Sequence, residues 1–462
     1  MSKFVKVLIT LLVIAGFVAP AVSFADDRLS LSGYYTLRAF LKDNADYSDS
    51  GNDSQEYFYQ RLRLGAKIAV AEGVAVNLRA DIGEGNLPEG ANDGVNEFDL
   101  DHAYVTIDKG DFALKAGQYG LGFGNAILMD RTTDLSIALT YKPANLTLAY
   151  AKLEEGSATV ADDTDMYMVT LGHSGDNYNA SLAVGYVNNM SDNNPMPVYG
   201  EDIGWIVDAV YFDDFNWWNW EADDFTAEYD VEYDWEGYTV EDIWFVGLAG
   251  DFDFGAAKLA YEIDYMSGDV AWTEAWATFD GNFRPSAGDS YDYETGTADA
   301  EGFNVYLNGS FGVSETATLG AIFTYAMGSD DDEIQLVDVA ANDFSPENWG
   351  FMGTLYTVYS ASGADTFDPS GDDAGVVGIQ PYVDFKVSND IALHAHIAYV
   401  QPEDSGKTNL DNIWTYAASA RYNFAPNTTI DVAASYSDAD GKCEWDSADA
   451  NTTYAARLTV SF

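Results

Sequence analysis

Cysteine is nearly missing from this chain. Of 462 residues only Cys443 is one, which excludes an intrachain disulfide and any cysteine metal cluster. Histidine occurs four times and proline 11 times. No nucleophile, base and orienting acid stand together as a set, no phosphate-cradling glycine loop occurs, and no Cys-x-x-Cys-His run exists, so the sequence reads as a non-enzyme without a cofactor. Positive charge is scarce: 21 Lys plus Arg face 76 Asp plus Glu, a formal net charge of −55 that argues against a nucleic-acid partner. No stretch reaches eighteen consecutive apolar residues, so there is no transmembrane helix. A chain of this kind enters a bilayer only as a closed barrel, because every backbone polar group must be paired there.

Aromatic residues are abundant, at 15% with 31 Tyr and 25 Phe, and glycine reaches 41. At the N-terminus Lys3 and Lys6 precede an apolar stretch from Val7 to Val18, then Pro20 and Ser23-Phe24-Ala25. That order reads as a secretory signal peptide over 1–25, with a mature chain of 26–462 beginning at Asp26. The acidic excess is concentrated: residues 189–240 carry 14 acids and 329–373 carry 11, both without Lys or Arg, and 267–298 carry six acids and one Arg. These segments read as loops, so much of the negative charge lies outside any wall. A cation-attracting field, binding of divalent cations at the surface, adaptation to salty water and a merely solubilising surface all fit.

Strand-like runs alternate with connections of two kinds. Short turns fall at Glu72-Gly73, Lys109–Asp111, Pro143–Asn145, Gly175–Asn177, Asp251–Asp253, Gly312–Glu315, Ser388–Asp390 and Ala425–Asn427, each with the Gly, Asn, Asp or Pro chemistry of tight hairpins. Longer polar loops fall at 44–54, 84–96, 119–133, 155–163, 189–240, 267–298, 329–373, 401–411 and 438–449. Eight turns and nine loops make 17 connections and hence about 18 strands, with 16 or 20 open because 189–240 and 329–373 each contain strand-like runs. The fold class is therefore all-β, an antiparallel transmembrane β-barrel with turns at one rim and loops at the other.

Period-two alternation assigns faces. Leu29, Leu31, Leu37, Ala39 and Leu41 share one side, which turns Arg38 to the other; Phe58, Leu62, Leu64 and Ala66 oppose Arg61 and Arg63; Val76, Leu78 and Ile82 oppose Arg79. The same pattern sets Arg421 opposite Ala420 and Tyr422, and Arg457 opposite Leu458. A guanidinium facing lipid at the midplane costs about 2–4 kcal/mol, so all six arginines are expected inside. Closing the first strand on the last would gather them on one wall. Such a wall either sets ion selectivity or pairs with lumenal carboxylates to stiffen the barrel, and both readings stay open.

The third loop, Tyr119 to Asp134, is glycine-rich and apolar, with Leu121, Phe123, Ile127, Leu128 and Met129 needing shelter that the barrel interior offers. Signal peptide, sorted turn lengths, this loop and the terminal Phe462 together resemble the general porins of Gram-negative bacteria. The terminal Phe on an alternating strand resembles the signal by which outer-membrane barrels are recognised for insertion. The resemblance implies an outer-membrane location, a passive channel for ions and small hydrophilic solutes, a homotrimer among lipid, and a third loop folded inward so that Asp130, Arg131 and Asp134 sit at a constriction facing the arginines. Arg38 and Phe58–Arg63 also look like the alginate-export group, which implies instead a channel for an anionic oligo- or polysaccharide. A non-conducting barrel serving as an adhesin or as a sheath for a partner is the third reading.

Lesser features remain. Phe215–Trp220 with Trp205, Trp235 and Trp244 reads as a sugar-stacking platform or, by preference, loop packing. Ser329–Glu333 and Asp438–Gly441 offer oxygen ligands for weak, superficial Ca²⁺. His394 and His396 share a strand face, but no third metal ligand is evident.

Overall fold

A computed structural model of the chain describes residues 28–43, 54–87, 98–125, 128–129, 135–154, 164–189, 235–278, 290–328, 333–335, 375–404, 410–441 and 450–462. The expected signal peptide, Asp130, Arg131 and Asp134, and most of the long acidic segments lie outside them. The strands are β1 (Leu29–Asp43), β2 (Gln55–Ala71), β3 (Val74–Leu87), β4 (Phe98–Lys109), β5 (Phe112–Gln118), β6 (Leu135–Tyr141), β7 (Leu146–Glu154), β8 (Thr164–Ser174), β9 (Tyr178–Asn189) and β10 (Trp235–Asp253). They continue as β11 (Ala257–Thr278), β12 (Ser290–Gly312), β13 (Ala317–Ala326), β14 (Glu333–Gln335), β15 (Val376–Lys386), β16 (Ile391–Pro402), β17 (Leu410–Ala425), β18 (Thr428–Gly441) and β19 (Asn451–Ser461).

All belong to one sheet in which β1 pairs with both β2 and β19, so the sheet is closed. The three-residue β14 is set apart. It lies parallel to Asp299–Glu301 of β12, at the edge left free where β13 ends opposite Asn304. The other 18 strands are the wall of an antiparallel barrel, without an unpaired edge. The seam is finished by Phe462, whose N–H donates to the Gly33 carbonyl at 3.0 Å while the Gly33 N–H donates to the Phe462 carbonyl at 2.9 Å.

The hairpins follow the turn chemistry. Gly73 and Gly110 take positive φ (72° and 60°), and Asn145 and Asn427 are the two described non-glycine residues that do (49° and 59°). Several connections depart from the sequence reading, and the expected loop 189–240 gives way to β10 at Trp235. The turn expected at Asp251–Asp253 lies at 254–256, because β10 keeps its ladder to Asp253. The expected loop 267–298 is largely strand: β11 and β12 stay in register from Ala257↔Phe311 to Thr278↔Ser290. Asp269, Glu274, Asp292 and Glu294 therefore sit on strands, since paired neighbours outweigh acidic composition. At about 3.4 Å per residue these 22- and 23-residue strands outrun a barrel's apolar band of about 25 Å and project on the loop side. Asp438–Gly441 likewise belongs to β18, not to a loop.

Burial is inverted relative to a soluble domain. Leu139, Leu148, Val169, Val184, Val246 and Tyr265 are register partners across β6 to β11, and all are exposed. One residue along, Ala149, Met168, Gly185 and Phe245 form the neighbouring inward row, and all are buried. At the turn rim Phe112, Tyr141, Phe254, Phe311, Phe385 and Phe424 are exposed, a ring of aromatics. An apolar outer band edged by aromatics is the surface that a bilayer and its interface accept and that water does not.

Candidate functional site

The barrel interior holds two contrasting halves. On one, closure of β1 against β19 brings distant arginines together. Arg421, Asp431, Arg457, Arg38 and Tyr59 are successive register partners across β17, β18, β19, β1 and β2. The Asp431 carboxylate accepts from Arg421 Nε at 2.6 Å and from Arg457 Nε at 3.0 Å. Arg38, 7% exposed, places its guanidinium 5.2 Å from the centre of the Tyr59 ring, and Arg61 lies 5.8 Å from the same ring. Arg63 donates to both oxygens of Asp81 at 2.7 and 2.5 Å, and Arg79 donates to Asp101. All six expected arginines thus lie on the inner face of β17 to β3, interleaved with three aspartates. Among these nine residues three positive charges remain in excess.

The carboxylates were not singled out by the sequence. Asp81 and Asp431 fall on the inward parity of their strands, so alternation alone marks them, but their pairing with Arg63 and Arg421 follows from register. The side chains of Arg63 and Asp81 are 16% and 6% exposed. Removing one partner of such a pair leaves the other charge unmatched. Asp81→Ala is expected to lower the unfolding free energy by about 3 kcal/mol, and Asp81→Asn by less, in urea titrations of the folded barrel.

The other half is apolar and covered by the third connection. Tyr119, Leu121 and Phe123 are buried (1%, 7% and 5% exposed) against Ala149, Met166, Met168, Ile243 and Phe245, with Leu128 and Met129 packed on the same cluster. These are inward-facing wall residues, so the segment lies inside the barrel. Phe123 and Met129 form a short antiparallel bridge, Phe123 N–H to Met129 carbonyl at 3.1 Å.

One wall residue fastens it. Glu262 on β11 accepts from the Asn125 N–H at one oxygen and from the Leu128 N–H at 2.9 Å at the other, and the Asn125 amide donates to the Tyr261 carbonyl at 3.0 Å. Gly124 makes this possible: its φ is +55°, and a Cβ there would strike the Glu262 carboxylate and Ala249. Counting round the ring, β11 stands nine strands from β2 in either direction, so the latch lies across from the arginine wall. Gly124→Ala is expected to cost about 1–3 kcal/mol of local stability, read as faster amide exchange at Asn125 and Leu128. Glu262 was not singled out by the sequence, although in Tyr261-Glu-Ile-Asp-Tyr265 two acids share one face of a strand. What marks it out, the approach of Asn125 from 137 positions away, is not legible there.

Other candidates resolve differently. Trp244 is 59% exposed on the outer face beside Tyr186, at 4.5 Å between ring centres, so it joins no platform in a barrel mouth. Phe215–Trp220, Trp205 and Ser329–Asp332 lie outside the described residues. His394 accepts or donates at Asp384 (2.8 Å) and at His396 (3.1 Å), a hydrogen-bonded chain. No group of three or more His, Cys, Asp or Glu suited to a metal occurs among the described residues.

No family model matches the chain, and no curated protein matches it. Among solved structures it is similar to the outer membrane channel DcaP of Acinetobacter baumannii (11% identity, 94% of this chain and 97% of that one, TM-score 0.45). It is also similar to the anion-selective porin from Comamonas acidovorans (10% identity, 94% and 99%, TM-score 0.43). A third likeness is to in-vitro folded OmpT, an outer membrane protein of Vibrio cholerae (11% identity, 94% and 98%, TM-score 0.40).

Proposed function

We propose that the chain forms a water-filled outer-membrane channel through which ions and small hydrophilic solutes diffuse passively, exported by its first 25 residues and assembled as a homotrimer. One observation carries the reading: a closed ring of strands that is apolar outside and lined inside by charged side chains. The lining residues are Arg38, Arg61, Arg63, Arg79, Arg421 and Arg457 on one wall. The inward third loop narrows the opposite side, with Asp130, Arg131 and Asp134 as its constriction residues.

The two charge systems act at different places. The acidic segments on the loop side attract cations to the mouth. The arginine wall favours anions within. Charges exposed to water are screened beyond about 8–10 Å at physiological salt. The reversal potential of the purified protein in a planar bilayer, under a KCl gradient, is expected to be cation-selective at low salt and less so at high salt. Absence of any conductance would overturn the channel reading.

The row Arg421-Asp431-Arg457-Arg38 favours one second reading, a channel specific for an anionic oligo- or polysaccharide that tracks the guanidiniums. Saturable block of the current by such a sugar supports it, and equal passage of unrelated solutes excludes it.

A further inference from the structure

Beneath the inner loop lies a polar cluster that the latch does not use up. Asp264 follows Glu262 on the same face of β11 and is 1% exposed. Neither of its carboxylate oxygens has a hydrogen-bond donor. Directly across the ladder, Asn304 of β12 is Asp264's register partner; it is 0% exposed, and both its amide oxygen and its amide nitrogen are unpartnered. Cross-strand partners on one face hold their Cβ atoms about 5 Å apart, so the two side chains share one space. The inner loop comes close to it: a Cβ at Gly247, across the ladder from Asp264, would lie 2.7 Å from Asp264 Oδ1 and 2.8 Å from Leu128.

Burying an unmatched carboxylate is costly, and burying an amide with no partner adds to the cost. Glu262 spends both oxygens on backbone N–H groups, and the buried Asp264 carboxyl beside it has no donor of its own, so its burial needs an answer. A water molecule supplies no charge. A proton shared between the two carboxyls answers the charge but leaves Asn304 without a role. A cation answers all three side chains at once.

We propose that Asp264, Asn304 and Glu262 bind a hard divalent cation of the Ca²⁺ class, which ties the inner loop to the wall. The donor set is all oxygen: two carboxylates that match a double positive charge and one amide oxygen, the ligand chemistry such ions select. The site is distinct from the runs Ser329–Glu333 and Asp438–Gly441, and it does not require that the barrel conduct.

Calorimetric titration of CaCl₂ into chelator-treated, folded barrel in detergent tests it. The surface acids give a weak, non-saturating background, so the readout is a saturable one-site component. That component is expected in the wild type, lost in Asp264→Asn, weakened at least tenfold in Asn304→Ala, and retained or tightened in Asn304→Asp. Identical isotherms for wild type and Asp264→Asn would overturn the proposal. So would the lack of a saturable component together with a wild-type unfolding midpoint that drops as pH rises while that of Asp264→Asn does not, the signature of a shared proton. The Asn304 pair decides the matter if Asp264→Asn does not fold.

Discussion

Val169→Arg is expected to lower the folding free energy of the barrel in lipid by about 2–4 kcal/mol, the cost of a guanidinium at the midplane on a lipid face. Val169 is 44% exposed between Leu148 on β7 and Val184 on β9, themselves 51% and 39% exposed, so the substitution puts a charge in the middle of the outer row. Thr170→Arg is the control. Thr170 pairs with Ala183, which is 0% exposed, and so lies on the inward parity. A charge there meets no lipid. Urea titrations in vesicles should separate the two, with a large loss for the first and a smaller one for the second. No loss for Val169→Arg would mean that the outer row does not face lipid, and the membrane reading would fall with it.

The second large effect concerns the arginine row. Replacing Arg38, Arg421 and Arg457 together by Gln removes the two guanidiniums that hold Asp431, which is 3% exposed, and the Arg38 beside Arg457. The patch turns from net positive to net negative. Fields of clustered charges in a cleft reach several kT, so the cation-to-anion permeability ratio should rise by about an order of magnitude. Planar-bilayer reversal potentials at fixed salt read it. Because Asp431 loses its partners, each variant needs a stability control; Asp431→Asn added to the triple change restores a neutral patch and should return the ratio part of the way. An unchanged ratio in both would place the rate-determining selectivity in the acidic mouth.

Much of this was legible in the sequence. The turns at Gly73, Gly110, Asn145 and Asn427 were, because these residues announce the positive φ that tight hairpins require, whereas the turn expected at Asp251–Asp253 was misplaced. The inward placement of the arginines was also legible, because alternation with Leu37, Leu62 and Leu458 leaves them one face only. The loop boundaries at 267–298 were not. Acidic and aromatic composition there suggested a loop, whereas pairing partners such as Val270↔Ala298 make it strand. Local composition says what a segment tolerates in water; it does not say whether a neighbour is available to pair with it.

The division has a physical basis. Periodicity, turn chemistry and charge sign are properties of adjacent residues, and the sequence by itself determined them: an all-β chain, strands apolar on one side, connections sorted by length, arginines turned from lipid. Which residues meet across the barrel depends on register and closure, set by hydrogen bonds between segments far apart in the chain. Only the tertiary structure therefore decided that Arg38 and Arg457 stand side by side at the seam. It alone showed Asp431 between two arginines, and Asn125 and Leu128 held by Glu262. Asp264 and Asn304 came together, buried and unpartnered, through the same long-range pairing.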